Sequence, residues 1–303
     1  EMCIRDSQLI YLDLYDCGLV IDDVDMFSDL KCLTYLNLDK NELKQVLPGL
    51  FTELKQLEIL ELGGNYDVEC ELAANNAFKY LSNLKELHLS KFFFDATHTS
   101  TIFRPLKKIQ KLSIDDSKLN SKTFSSVSNL RELSFSDNPI CFHIDKSFFK
   151  KHPNLESLDL SRTDLSKEPY HIDIEAFSGL KSLKELNLSD NKINFINENM
   201  LKSLENLESL NLSRDNYGPS KVVIELNSTT FETMKNHLKI LDLSWNKIKL
   251  QDNCFECLIH LKELDISMVE MDSSEEIDLF DSLKGIKKLN LEFFEANFPL
   301  KIY

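Results

Sequence analysis

Cys254 and Cys257 form a Cys-x-x-Cys pair, a spacing that occurs in zinc sites and in thiol–disulfide exchange. A structural zinc site needs four ligands, and the sequence offers no second pair to supply the other two. The two cysteines also flank Phe255, which belongs to a column of aromatic residues on the predicted outer turns. We therefore interpret them as buried thiols, and we predict neither a metal site nor a cofactor.

No combination of nucleophile, base and acid in the sequence points to catalysis. There is no phosphate-binding loop, no nucleophile elbow and no HExxH motif. The chain has 50 acidic and 35 basic residues, a net charge of -15, but the carboxylates recur at regular intervals and do not converge. We predict that the protein is not an enzyme. The negative charge, and the lack of a basic stripe in this interpretation, favour neutral or basic partners over nucleic acid.

Short repeats are the elements that position all of these residues. The pattern LxxLxLxx(N/C)xL recurs at intervals of 21 to 31 residues. Side chains alternate along a strand such as Leu186-Asn187-Leu188, so both leucines point into the fold and Asn187 points outward. About twelve such coils predict an α/β repeat solenoid with a parallel β-sheet on its concave side. The repeats begin at Leu9, Leu33, Leu57, Leu84, Ile109, Leu130, Leu155, Leu183, Leu207, Leu238, Leu261 and Ile286.

A column of small polar residues after the strands supports the same register. An asparagine there can satisfy backbone groups that the turn would otherwise leave unpaired. The asparagines of this column are Asn41, Asn65, Asn138, Asn191 and Asn246. Small residues stand in for asparagine at Cys17, Ser117, Thr163 and Asp215. We expect Cys17 to be buried, and we expect local irregularity at Phe92, Val269 and Phe294, which cannot play this role.

A second column consists of phenylalanines with apolar residues three and six positions later. This spacing predicts a convex layer of short helical or 3₁₀ turns whose rings close the core. The phenylalanines are Phe27, Phe51, Phe78, Phe103, Phe177 and Phe255.

Together, the two columns and a period near 24 residues resemble the extracellular class of leucine-rich repeats, above all the ectodomains of Toll-like receptors. The resemblance covers residues 9 to about 296 and implies a horseshoe-shaped scaffold for binding. We expect residues 8–303 to form a single, uncapped solenoid. Residues 1–7 do not fit the repeat, and we interpret them as non-native or as the remnant of a cap. Any membrane attachment is expected through segments outside this sequence.

The outward position of the predicted strands is polar, and none of its residues is lysine or arginine. Asp242 and Asp265 lie at this position in neighbouring coils and are candidate contacts for a basic partner. The alternative is that exposed strand positions are polar by default.

Tyrosines interrupt this polar strip near its start. Tyr11, Tyr15 and Tyr35 are predicted to cluster on the first two strands, where Tyr11 and Tyr35 hold equivalent positions. Because tyrosine is a frequent anchor of protein interfaces, we treat the three as candidate binding residues. Packing at the edge of the coils is the alternative.

Trp245, Met268 and Phe293 follow the strand directly in three successive coils. We predict that they form an exposed apolar row, which would need a partner to cover it. Cover by flanking segments of the same protein is the alternative.

The coil that begins at Leu207 is the longest and carries an insertion around Tyr217. Loops on a rigid scaffold often determine specificity, so Tyr217 is a further candidate contact, although insertions also arise without function. Asn187, Asn211 and Asn227 lie in Asn-x-Ser/Thr sequons and are predicted glycosylation sites.

The resemblance to Toll-like receptors implies the binding ectodomain of a receptor of innate immunity, which we expect either on the extracellular face of a membrane protein or secreted. The expected partner is a protein or a microbial or endogenous ligand, neutral or basic, whose binding is linked to formation of a homodimer or heterodimer. An adhesion, guidance or matrix protein with the same repeats is the alternative. An intracellular scaffold is a third hypothesis.

Overall fold

The computed structural model describes residues 8–64, 70–71, 76–94, 99–128, 130–165, 172–191, 193, 196, 198–214, 223–250, 254–271, 283, 285–293 and 295–296. The chain divides into two compact units, which we call unit 1 (residues 1–142) and unit 2 (residues 143–303). In both units each repeat contributes a short strand, and neighbouring strands pair in parallel. No helix in the described ranges has the length and apolar character needed to cross a membrane.

Unit 1 contains a parallel sheet in the order β1-β2-β3-β5-β7-β8 and a two-stranded sheet, β4-β6. Its elements are β1 (Tyr11–Asp13), β2 (Tyr35–Asn37), β3 (Ile59–Gly63), β4 (Cys70–Glu71), β5 (Glu86–Ser90), β6 (Phe92–Phe93), α1 (Thr99–Ile102), β7 (Lys111–Asp115) and β8 (Glu132–Ser134).

Unit 2 contains a parallel sheet in the order β9-β10-β11-β13-β15-β17 and a second parallel sheet, β12-β14-β16-β18. Its elements are β9 (Ser157–Asp159), β10 (Glu185–Asn187), α2 (Glu198–Leu201), β11 (Ser209–Asn211), β12 (Val223–Leu226), a 3₁₀ turn (Glu232–Met234), β13 (Ile240–Asp242), β14 (Lys247–Leu250), β15 (Glu263–Asp265), β16 (Glu270–Met271), β17 (Lys288–Asn290) and β18 (Glu295–Ala296).

The alternation predicted for the strands is present. Leu186 and Leu188 are buried, whereas Asn187 between them is partly exposed. Leu186 pairs in register with Leu158 on one side and Leu210 on the other, so leucine stacks on leucine from coil to coil. This stacking removes apolar side chains from water, which is the main favourable contribution to the stability of such a fold.

The asparagine column forms a buried hydrogen-bond ladder. The amide nitrogen of Asn138 donates to the carbonyl oxygens of Ile114 at 2.7 Å, Phe135 at 2.9 Å and Ser136 at 2.8 Å, and its Oδ1 accepts from the Ser117 backbone amide at 2.7 Å. The side chain thereby satisfies backbone groups of its own coil and of the preceding one.

Cys17 departs from the prediction of a buried stand-in, because it is exposed. The carbonyl oxygen of Leu14, which a residue in this column would otherwise serve, already accepts a 2.8 Å bond from Asn41 Nδ2. Asn41 Oδ1 also accepts the backbone amide of Cys17, at 3.1 Å. The thiol is left with a 3.6 Å contact to the Tyr15 carbonyl oxygen.

The opposite layer is built mainly from tight turns, with few helices. The Leu30 amide donates to the Phe27 carbonyl oxygen and the Leu33 amide to that of Leu30, which is the three-residue spacing predicted. The phenylalanine rings of this layer are buried and stack between coils, as Phe78 and Phe103 do with ring centroids 6.2 Å apart.

The predicted fold class, a parallel β-solenoid of leucine-rich coils, is confirmed. The number of regular turns, about nine, is slightly lower than the dozen predicted. A strand needs only its two inward leucines, whereas a regular turn also needs the residue that satisfies its backbone. Phe92 and Val269, which cannot do so, are both buried; Phe92 begins β6 and Val269 directly precedes β16, whereas Phe294 lies outside the described residues. An extra strand does not require the loss of asparagine, because β14 directly follows Asn246.

Candidate functional site

Tyr11 and Tyr35 lie side by side on the exposed face of the unit 1 sheet. They pair in register on β1 and β2, and their rings stack with centroids 4.2 Å apart and planes 3° from parallel. Tyr11 is 56% exposed and Tyr35 is partly buried against it. The Tyr35 hydroxyl donates a 2.9 Å hydrogen bond to Glu61 on β3. The pair is therefore held rigidly while it presents one aromatic face to solvent.

Tyr15 lies farther along the same coil and does not join the stack. It is 45% exposed, and the ammonium group of Lys40 lies 4.8 Å from its ring centroid. This cation–π contact shows that an aromatic ring on this face can accommodate a basic side chain. We refer to Tyr11, Tyr15 and Tyr35 together as the tyrosine patch.

Carboxylates surround the tyrosine patch. Burial, together with the negative charges of Glu61 and Asp13, raises the pKa of Asp39 to about 6, against the effect of Lys40. Burial, followed by the hydrogen bond to Glu61, also raises the pKa of Tyr35, so its hydroxyl keeps its proton. The patch combines aromatic surface with negative charge, an arrangement complementary to a basic partner.

Gly63 leaves room for the side chains of Asp39 and Ser90 to lie close together over β3. A Cβ at Gly63 would lie 2.8 Å from Asp39 Oδ1 and 2.7 Å from Ser90 Oγ, both closer than real Cβ atoms approach. The carboxylate of Asp39 can therefore fold over β3 only because residue 63 has no side chain.

Farther along the unit 1 sheet the acidic side chains are internally satisfied. Asp115 accepts hydrogen bonds from Ser134 Oγ at 2.6 Å, from the Ser136 amide at 2.9 Å and from Ser136 Oγ at 3.0 Å, and Ser113 Oγ also donates to it. His88 lies 3.8 Å from Glu86 Oε2 and is partly exposed. This stretch is a polar surface without an evident reactive group.

In unit 2, Trp245, Met268 and Phe293 occupy the turn after β13, β15 and β17. Their φ angles are +61°, +54° and +50°. Phe293 is 70% exposed, but Trp245 and Met268 are only partly exposed, so the row is less open than predicted. We call these three residues the apolar row.

Left-handed backbone is uncommon for bulky apolar residues. The equivalent turns of other coils use mostly polar residues, among them Asp16, Lys40, Asp137 and Asp190. Tryptophan, methionine and phenylalanine in three successive coils therefore need an explanation other than backbone preference. Sequence reasoning identified the row but not its strained backbone.

Asp242 and Asp265 face each other across adjacent strands beside the apolar row. Burial alone would raise the pKa of Asp265, but hydrogen bonds from Ser267 and Asn290 outweigh it and hold the pKa below its usual value. Asp242 Oδ1 accepts the Ser244 amide at 2.9 Å. The two carboxylates form an ordered acidic edge along the row.

The sequons differ in their surroundings. Asn187 Nδ2 donates to Asp159 Oδ2 at 3.1 Å, on the sheet face. Asn211 lies in register beside Asn187, and its Oδ1 accepts from Ser213 Oγ at 2.7 Å. Asn227 follows β12, and its Oδ1 accepts from Thr229 Oγ1 at 2.8 Å. Tyr217, predicted as a contact in the long coil, lies outside the described residues.

The cysteines form no disulfide within the described ranges. Cys254 is buried, and burial raises the pKa of its thiol to about 12; burial also raises the pKa of Cys257 to about 11. Among the residues that the structure describes, no group of three or more His, Cys, Asp and Glu side chains is arranged to hold a metal ion.

Family models agree with the repeats seen in the structure. A leucine rich repeat model matches residues 7–66 and 166–216, a BspA type leucine rich repeat region matches residues 68–166, and a further leucine rich repeat model matches residues 235–251. The chain belongs to the leucine-rich repeat family. The predicted resemblance to extracellular leucine-rich repeats is thus confirmed.

Individual relatives of this leucine-rich repeat chain include receptors. It is 33% identical to Toll-like receptor 7 of Mus musculus over 185 residues, which are 54% of this chain and 16% of that protein. It is 28% identical to podocan of Mus musculus over 280 residues, which are 89% of this chain and 43% of podocan. The chain therefore spans less than half the length of these relatives.

The solved structures agree on the fold. The mouse RP105/MD-1 complex contains a chain that matches with a TM-score of 0.69 at 24% identity, covering 94% of this chain and 51% of that chain. At this identity the likeness concerns the scaffold alone.

Proposed function

We propose that this chain is the partner-binding part of a Toll-like receptor of innate immunity, displayed on the extracellular side of a membrane, and that it acts by binding rather than by catalysis. The observation that carries the proposal is the stacked Tyr11–Tyr35 pair, with Glu61 hydrogen-bonded to Tyr35 and with Asp13 and Asp39 near Glu61. The similarity to Toll-like receptor 7 supports the receptor assignment. The scaffold holds the patch rigid, so little conformational entropy is lost when a partner binds.

The partner that fits the patch is a protein or peptide, of microbial or endogenous origin, with basic side chains beside an apolar surface. Its guanidinium or ammonium groups would lie over the tyrosine rings and pair with Asp13, Asp39 or Glu61. Tyrosines at such a position are typical anchors of an interface.

The apolar row offers a second contact, and it fits the formation of a receptor dimer. An exposed phenylalanine beside two partly exposed apolar side chains is energetically favourable only when another surface covers it. The covering surface would be a second copy of the chain or a related receptor, brought close by the bound ligand.

A secreted matrix protein that holds its partners without signalling is the second candidate. It is favoured by the similarity to podocan, which extends over 89% of this chain. The two candidates differ in the full-length transcript, because only the receptor requires a membrane span and a signalling domain.

Extracellular display is tested by expressing the full-length protein in human cells with a tag next to residue 8. Antibody binding to intact cells, together with a glycan on Asn227 detected by mass spectrometry, is the expected result. Asn227 is the favoured site because its sequon lies in a turn, whereas Asn187 Nδ2 is engaged by Asp159. Staining that requires permeabilised cells, with Asn227 unmodified, would contradict an extracellular role.

A further inference from the structure

The segment from Asn76 to Arg131 in unit 1 has the opposite charge to the rest of the chain. It contains ten lysines and arginines and four aspartates and glutamates, a formal charge of +6, in a chain whose net charge is -15. This excess does not appear at the outward position of the strands, where no residue is lysine or arginine.

Three of these cations meet at one depression on the outer turns. The depression has a volume of about 430 Å³ and is lined by Asn76, Lys79, Thr101, Arg104, Pro105 and Lys107. We call it the basic depression. It is wide open to solvent, so a ligand would be held at the surface by charge and not enclosed.

The repeat itself brings the cations together. Lys79 directly follows Phe78, and Arg104 directly follows Phe103, so the two residues hold equivalent positions in adjacent coils. The two rings stack beneath them, and each turn is closed by a backbone hydrogen bond, from Lys79 to Asn76 and from Arg104 to Thr101, both 3.0 Å long. The backbone of both residues is therefore held on neighbouring turns, with the buried phenylalanines behind it.

Among the described residues, these cations have no carboxylate partner of the kind that other lysines of unit 1 have. Lys85 pairs with Glu58 at 2.7 Å, and Lys111 pairs with Glu132 at 3.0 Å. In the part of the chain that the structure describes, no ion pair joins Lys79, Arg104 or Lys107 to a carboxylate. Three like charges around one exposed depression repel one another, and an anion placed there would relieve the repulsion.

We propose that the basic depression binds a sulfated saccharide. Sulfate groups would pair with Lys79, Arg104 and Lys107, and the amide of Asn76 would donate to sugar hydroxyls. Nucleic acid fits less well, because three cations are fewer than a duplex normally contacts. The aromatic ring beside the depression, Tyr80, already has the Lys79 ammonium group 5.1 Å from its centroid, which leaves less of the ring open to stack a base. The depression lies on the outer turns of unit 1 and the tyrosine patch on its sheet face, so this binding is separate from the proposed receptor contact.

The test measures binding of a heparin-derived hexasaccharide to the chain by surface plasmon resonance. The variant Lys79→Glu/Arg104→Glu/Lys107→Glu removes the cations, and Lys31→Glu/Lys181→Glu/Lys202→Glu is the matched control with the same change of net charge on exposed lysines elsewhere. Circular dichroism checks that both are folded, and Gln replaces Glu at any position where folding is disturbed. The fully desulfated hexasaccharide and a short DNA duplex are the comparison ligands.

The expected result is binding that weakens as salt rises and that falls by about tenfold or more in the depression variant, with a change of less than about twofold in the control. The desulfated saccharide should not bind, and the duplex should bind more weakly than the sulfated saccharide. Equal losses in both variants, or equal binding of the desulfated saccharide, would overturn the site. A duplex that binds as tightly as the sulfated saccharide would overturn the assignment of a saccharide ligand.

Discussion

The rings of Tyr11 and Tyr35 stack 4.2 Å apart because the repeat gives them the same position on adjacent parallel strands. In a solenoid, a residue type that recurs at the repeat period forms a row of neighbouring side chains. The same rule builds the apolar row, the asparagine ladder and the basic depression. Each of them leads to an experiment.

The asparagine ladder predicts unequal effects for two equivalent substitutions. Asn138 uses both ends of its amide, whereas Asn246 donates three bonds but its buried Oδ1 has no partner among the described residues. Asn138→Ala should lower the free energy of unfolding by about 3 kcal/mol, and Asn246→Ala by about 1 kcal/mol less. Urea unfolding of both variants checks this, and an equal loss would show that the Oδ1 bond contributes nothing.

Replacing Asp39 with asparagine should stabilise the fold by an amount that depends on pH. The folded-state pKa of about 6 for Asp39 lies above the unfolded value of 3.8, so the folded state is favoured below pH 3.8 and loses that advantage as pH rises through 6. After allowance for partial exposure, Asp39→Asn should stabilise the fold by about 1–2 kcal/mol at pH 7.5 and hardly at all at pH 4. Thermal unfolding at both pH values measures it, with the exposed Asp29→Asn as control. A gain that is the same at both pH values would refute the assigned cause.

His152 occupies a leucine position of the outer column, three residues after Phe149 and three before Leu155. It is buried, Nδ1 has no hydrogen-bond partner within the described residues, and burial, aided by the charge of Lys151, lowers its pKa to about 4. The lowered pKa stabilises the folded state above pH 6.5, and that contribution is lost as pH falls from 6.5 to about 4.

The free energy of unfolding of the parent should therefore fall by up to about 3 kcal/mol in acid because of His152, and His152→Leu should remove this loss. The stability difference between variant and parent, measured by urea unfolding from pH 7.5 to 4.5, should grow as the pH falls. The exposed His260→Gln serves as the control and should follow the parent. A difference that does not change with pH would show that His152 does not cause the acid sensitivity.

The left-handed backbone of the apolar row predicts different stabilities for two substitutions of Phe293. Phe293 is 70% exposed with φ of +50°, a backbone that asparagine tolerates better than phenylalanine. Phe293→Asn should raise the free energy of unfolding by about 0.5–1 kcal/mol relative to Phe293→Ala, which removes the ring but keeps the strain. Both variants should weaken dimer formation of the ligand-bound receptor equally. If Asn is no more stable than Ala, strain at this turn is not the reason for the difference between coils.

Sequence alone predicted the strands, their register and the two buried columns, because leucine and asparagine repeat at positions with one structural role. It also predicted that Tyr11 and Tyr35 would meet. It did not predict the Tyr35–Glu61 hydrogen bond or the Lys40–Tyr15 contact, which depend on side-chain rotamers.

Two further features cannot be predicted from the repeat pattern, because they lie where the chain departs from it or outside its strands. His152 stands where leucine is expected, and the cations of the basic depression lie on the outer turns, away from the outward strand positions that were compared. The interpretation of residues 8–303 as one solenoid, and the roles of the tyrosine patch, the apolar row and the sequons, stay predictions.

The central claim is that the tyrosine patch binds a protein partner. The most direct measurement probes an array of purified extracellular proteins with a tetramerised form of the chain, as parent, as Tyr11→Ala/Tyr35→Ala, and as the control Tyr80→Ala, a tyrosine 40% exposed on an outer turn. The claim predicts that parent and control bind the same, mainly basic, proteins, and that the double variant, folded by circular dichroism, loses at least about 30-fold in affinity for them. Affinities unchanged in the double variant would contradict the claim.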